Sequence, residues 1–198
     1  MGYEIALDKA WRELEDLSAS DCYSIPLLKE VYEVRLNDRS VTSKSSDGPA
    51  EKFISILILH YLLGILRYGY KQTGQWISFK ELKGGNSYLP AFQKNTIRPM
   101  VDRLRSDPEG VFRDFRNSIE RFGGQLVEGG DCSVEIMTFS EIYIRVVLWR
   151  GDDELPPEAS MIFDKGLTEV LSTEDMAVFL DFVAHSILGE YHIYGIGS

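Results

Sequence analysis

At 198 residues, 44% hydrophobic and 12% aromatic, the chain is long enough to bury a sizeable core and lies well outside the disordered class. A net charge of −10 argues against duplex nucleic acid and anionic membrane as principal partners, because both demand a surplus of positive charge at the interface. The longest apolar run, Phe53 to Leu66, is broken by Ser55, His60 and Gly64 and falls short of the roughly 20 residues that span a bilayer.

Taken in chain order, Tyr3 to Leu17 reads as an amphipathic helix, with Leu7, Ala10, Trp11, Leu14 and Leu17 on one face. Its start, Met1-Gly2-Tyr3-Glu4, lacks the basic region and apolar stretch of a signal peptide, so a cytoplasmic protein is expected. Tyr23 to Leu28 and Val31 to Leu36 read as strands, with Asn37-Asp38-Arg39 turning into Val41. Asp47-Gly48-Pro49 reads as the start of a helix running to Tyr68, apolar nearly all round and therefore central.

Gly69 to Pro90 has little period, apart from a short strand at Trp76 to Phe79. Lys94 to Leu104 is helical, with Pro99 either a kink or the first turn, and Asp107-Pro108 opens a helix to about Phe122. Gly123-Gly124 ends it. Cys132 to Phe139 and Ile142 to Trp149 read as a strand pair, and Met161-Ile162-Phe163 as another strand. Ser172 with Asp175 three positions on forms a capping box for a last helix, Thr173 to Leu188.

Two stretches match each other. Asp21-Cys22 leads through a strand pair to a helix bearing His60-Tyr61-Leu62-Leu63-Gly64, and Asp131-Cys132 leads likewise to His185-Ser186-Ile187-Leu188-Gly189. The expected fold is therefore α+β, a single domain over 1–198. It would consist of two pseudo-repeats, at about 21–68 and 131–189, joined by a helical and loop connection at 69–130. Each unit would be a small antiparallel sheet covered by a long helix, with His60 over His185.

Those histidines are candidates for acid/base or metal-ligand roles, since imidazole serves both, although a histidine on an apolar helix more often fixes packing. With Cys22 and Cys132 they make a conceivable zinc set, weakened by spacing, because zinc ligands usually come in close pairs along the chain. In a reducing compartment the two cysteines are expected to be free thiols.

The central segment carries the leading functional expectation. From Arg67 to Arg105 eight basic residues face two acidic ones, a local +6 in a chain whose remainder carries −16. Glycines and aromatics are interspersed, as suits a planar anionic ligand. The residues expected to bind it are Lys71, Trp76, Lys80, Lys83, Tyr88, Phe92, Lys94 and Arg98, and the bland reading is a set of solvated lysines over packed aromatics. Gly84-Gly85-Asn86-Ser87 is no Walker loop, and no nucleophile elbow surrounds any serine. The expected protein is a binding or accessory protein for an anionic small molecule of the corrinoid, other tetrapyrrole or nucleotide class, or for a cofactor-carrying protein. The alternative is an enzyme acting on such a ligand through His60 or His185.

Four stretches, Ile54 to Gly69, Gly74 to Phe92, Gly130 to Asp153 and Leu171 to Leu188, resemble an uncharacterised domain-of-unknown-function family of anaerobic bacteria and archaea. Some members of that family are joined to a four-iron, four-sulfur cluster domain. The resemblance implies a setting in anaerobic cofactor or one-carbon metabolism and brings no catalytic residues. Two isolated cysteines cannot supply a four-cysteine cluster site.

Overall fold

The first sheet grows from period-two sequence. In the computed structural model, which describes residues 2–189, β1 (Cys22–Leu27), β2 (Glu30–Arg35), β3 (Ser40–Ser43) and β4 (Gly48–Pro49) form an antiparallel meander in that order. Tyr32 and Val34 of β2 are buried and Arg35 is exposed, the alternation expected of a sheet with one wet face. Asp47-Gly48-Pro49 is not a helix start. Asp47 turns the chain at a φ of 51°, and Gly48 and Pro49 pair with Ser43 and Thr42 at the sheet edge, where a missing proline N–H costs nothing. The helix begins later, at Lys52.

The second sheet has the order β5 (Trp76–Ser78), β9 (Glu158–Asp164), β8 (Tyr143–Trp149), β7 (Cys132–Met137) and β6 (Gly124–Leu126), antiparallel throughout. Val134, Ile136, Ile144, Val146, Leu148, Met161 and Phe163 fill its core face. One hydrogen bond joins the sheets: Leu28, in the β1–β2 turn at a φ of 54°, donates its N–H to the Thr138 carbonyl at 2.7 Å. That left-handed leucine costs about 1–2 kcal/mol, and the bond to Thr138 helps to fix it.

Among the described residues six α-helices complete the fold: α1 (Gly2–Leu17), α2 (Lys52–Tyr68), α3 (Leu89–Phe92), α4 (Arg98–Ser106), α5 (Pro108–Phe122) and α6 (Thr173–Leu188). A π turn, Gln93–Ile97, joins α3 to α4. Pro99 has no N–H to offer and its ring crowds the carbonyl four residues back, so it sits in the first turn of α4, where both faults are harmless. Asp107 caps α5 by accepting the Gly110 N–H at 2.9 Å. α2 is buried along most of its surface, from Ile54 to Gly64, as its uniform apolarity requires.

An aromatic joint ties the halves of the chain together. Tyr61 of α2 stacks on Phe139 at 3.8 Å, and Phe139 lies 5.3 Å from Phe179 of α6. Each such buried ring contributes about 1.5–3 kcal/mol. The core of which they form part is continuous from Ala10 to Leu188. Among the described residues no helix is long and apolar enough to cross a membrane.

Both matched stretches become a meander followed by a helix, but their closing motifs do different work. Gly64 lies inside α2, pressed against the Val170 carbonyl, whereas Gly189 is the left-handed cap of α6 at a φ of 74°. His60 therefore sits mid-helix and His185 in the last turn, so the equivalence expected of the two histidines does not hold.

Candidate functional site

The eight residues expected to bind an anion fall into several environments. Lys80 and Phe92 line one cavity, of about 250 Å³. Phe92 is buried and stacks on Phe79 at 4.3 Å, so the ring serves the core. Trp76 lines a different cavity, of about 450 Å³, with the Arg145 guanidinium 3.7 Å from its ring centroid; Arg145 in turn pairs with the buried Glu135 at 2.5 Å. Tyr88 donates its hydroxyl to Glu174 at 3.4 Å, and Arg98 pairs with Asp102 at 3.5 Å.

Lys71, Lys83 and Lys94 are exposed. The Lys83 carbonyl accepts from Thr173 Oγ1 at 2.8 Å, and the Lys71 carbonyl packs against Gly166. The loop around Lys71 is held by a residue the sequence did not reveal: buried Asp164 accepts from Thr73 N, Thr73 Oγ1, Gly74 N and Gly166 N.

The zinc set does not assemble. Cys22 is exposed at the start of β1 and Cys132 is buried at the start of β7, both free, and burial pushes the Cys132 thiol up. Among the described residues no group of three or more His, Cys, Asp or Glu side chains is placed to hold a metal ion. His185 Nδ1 lies 2.9 Å from the Asp181 carbonyl and 3.5 Å from Asp181 Oδ1, both on its own helix.

His60 is different. Its Nδ1 lies 2.6 Å from Asp175 Oδ1, and Asp175 Oδ2 accepts the Ser172 hydroxyl at 2.6 Å. Ser172 Oγ also accepts the Asp175 N–H at 3.1 Å, capping α6. A chain of hydrogen bonds thus runs from a helix cap to an imidazole on another helix. The Asp175 side chain is 15% exposed and that of His60 32%, far more shielded than an ordinary surface pair.

The hydrogen bond to Asp175 is the main cause holding His60 above the usual histidine range. Burial opposes it, and the Asp175, Glu13 and Glu174 carboxylates add to it. Burial resists ionisation of Asp175, yet the His60 and Ser172 hydrogen bonds outweigh it and keep the carboxyl below its ordinary range. With Nδ1–H fixed on the carboxylate, Nε2 is the atom left to exchange a proton, and among the described residues it has no hydrogen-bond partner.

Two cavities meet at this dyad. One, of about 510 Å³, is walled by Tyr3, Phe53, Ile56, Leu57 and Val178; the other, of about 410 Å³, by Lys9, Glu13, Leu63, Arg67 and Tyr68. Ala6, His60, Ser172 and Asp175 line both. The sequence marked His60 as a candidate and Asp175 only as a cap; nothing local in the sequence connects them, since the contact is made by the packing of α2 against α6.

Residues 12–186 match a protein-family model described as a domain of unknown function (DUF3786). No curated protein and no solved structure matches the chain. With that span covered, the chain belongs to the DUF3786 family.

Proposed function

We propose that this DUF3786 member binds a small molecule between α1, α2 and the start of α6, with His60 as its polar contact and acid–base group. The observation that carries the reading is the 2.6 Å His60–Asp175 pair set in the wall of a largely apolar cavity of about 510 Å³. Sites for small molecules usually occupy about 300–1,000 Å³ and combine apolar walls with a few fixed polar groups. A carboxylate-oriented imidazole can both hold a ligand and move a proton at it, so the binding and enzymatic expectations meet at His60.

The central segment supports a corrinoid, tetrapyrrole or nucleotide less well. The cavity shared by Lys80 and Phe92, at about 250 Å³, lies below that range, and Trp76 is already covered by Arg145. The cytoplasmic setting, the single-domain organisation and the duplication of a meander-plus-helix unit remain part of this proposal, the last supported by the shared element order.

Ligand-observed NMR with a diverse small-molecule set, followed by protein-observed spectra of the histidine rings, tests the reading. Hits on the wild type should shift the His60 ring resonances and be lost in Val178→Trp, which fills the cavity from its half-open wall. Hits that leave His60 unmoved and survive in Val178→Trp would overturn it.

A further inference from the structure

Resting on that reading, we propose that the ligand is an amphipathic anion, with its apolar body in the cavity walled by Phe53, Ile56, Leu57 and Val178 and a carboxylate or phosphate head beside Arg67 and Lys9. Because the two cavities share Ala6, His60, Ser172 and Asp175, they are lobes of one cleft that change character at the dyad. Beyond the shared residues, one lobe is lined by aliphatic and aromatic side chains together with Glu174. The other adds two cations and one carboxylate to the shared His60–Asp175 pair: Glu13 pairs with Arg67 at 2.6 Å and lies 3.8 Å from Lys9.

Beside the His60–Asp175 pair, Lys9 and Arg67 set against Glu13 leave one positive charge. Arg67 spends one nitrogen on Glu13, and among the described residues its remaining donors have no partner, which leaves a fork suited to an oxyanion. The acidic groups nearby are committed: Asp175 to His60 and Ser172, and Glu174 to Tyr88. An ammonium head would meet the Arg67 and Lys9 charges with no free carboxylate to offset them. An uncharged head would leave the Arg67 fork unused. The body of such a molecule would pass His60, so Nε2 faces the atoms joining head to chain.

Calorimetric titration with four probes of one chain length, octanoate, octyl phosphate, octanol and octylamine, tests this on the full chain. Octanoate or octyl phosphate should bind about tenfold more tightly than octanol, a difference of about 1.4 kcal/mol, with octylamine weakest. Arg67→Gln should remove that advantage and leave octanol binding as it was. Lys9→Gln, at a side chain 78% exposed whose loss cannot endanger folding, should reduce it in part. Equal binding of all four probes, lost in Val178→Trp, would leave the cavity reading standing and overturn the anionic head. Preference for octylamine, or no binding by either anion, would overturn it as well.

Discussion

His60 Nδ1 and Asp175 Oδ1 meet at 2.6 Å across 115 positions of the chain, so the middle of α2 is tied to the first turn of α6 by a charged hydrogen bond. Asp175 is at once a cap residue, the acceptor for Ser172 and the counter-ion of His60. Replacing it with asparagine keeps the shape and removes the charge. We expect Asp175→Asn to lower the His60 pKa and to cost about 1–3 kcal/mol of stability, the range of a hydrogen bond between charged groups.

The pH dependence has a definite sign. The raised His60 stabilises fully below the unfolded-state value of about 6.5 and loses that contribution as pH rises through its folded value. The lowered Asp175 stabilises above its ordinary value of 3.8 and loses it as pH falls through the folded one. Denaturant melts should therefore separate wild type from Asp175→Asn more at about pH 5.5 than at about pH 8.5. An equal gap at both would show that the pair is not ionic.

Gly64→Ala should be severely destabilising. A Cβ at that position would stand 2.1 Å from the Val170 carbonyl oxygen, a backbone atom that cannot swing aside. Overpacking of this kind costs about 1–3 kcal/mol or more, enough to lower the melting temperature by about 2–12 °C in a chain of this size. A thermal melt within a degree of wild type would refute the close approach of α2 to that segment.

Asp164→Ala should loosen the loop after α2. The carboxylate is 3% exposed, and its removal strands donors at Thr73, Gly74 and Gly166, for an expected loss of about 2–4 kcal/mol. Amide exchange should accelerate at Thr73 and Gly74 before it does in the sheets. Protection unchanged at those two amides would mean that the loop is anchored elsewhere.

Local signals were readable from the sequence wherever one residue type decides the backbone. Ser172 caps α6, Asp107-Pro108 opens α5, and the apolar run around Leu59 is the buried α2, all from side chains that act on their own neighbours. Gly48-Pro49 misled, because the same dipeptide serves a helix start and an edge strand, and only the pairing with Thr42 and Ser43 decides between them. In the basic central segment, charge counted along the chain does not say where side chains point, and the structure spreads those residues over several environments. His60 was visible as a candidate; its partner Asp175 and the nearby Glu13 were not, because they arrive from two other helices, α6 and α1.

The short strand Trp76–Ser78 pairs with Ile162–Asp164, so the second sheet borrows its edge from a segment made long before the rest of it. During synthesis that segment must wait, unpaired, until the final strand emerges, and the final strand has an open flank until it docks. Closing so long a loop is entropically slow. The interval before this closure is thus the chain's period of greatest exposure to mispairing with another copy, and a fragment beginning at Gly124 would retain that open flank permanently.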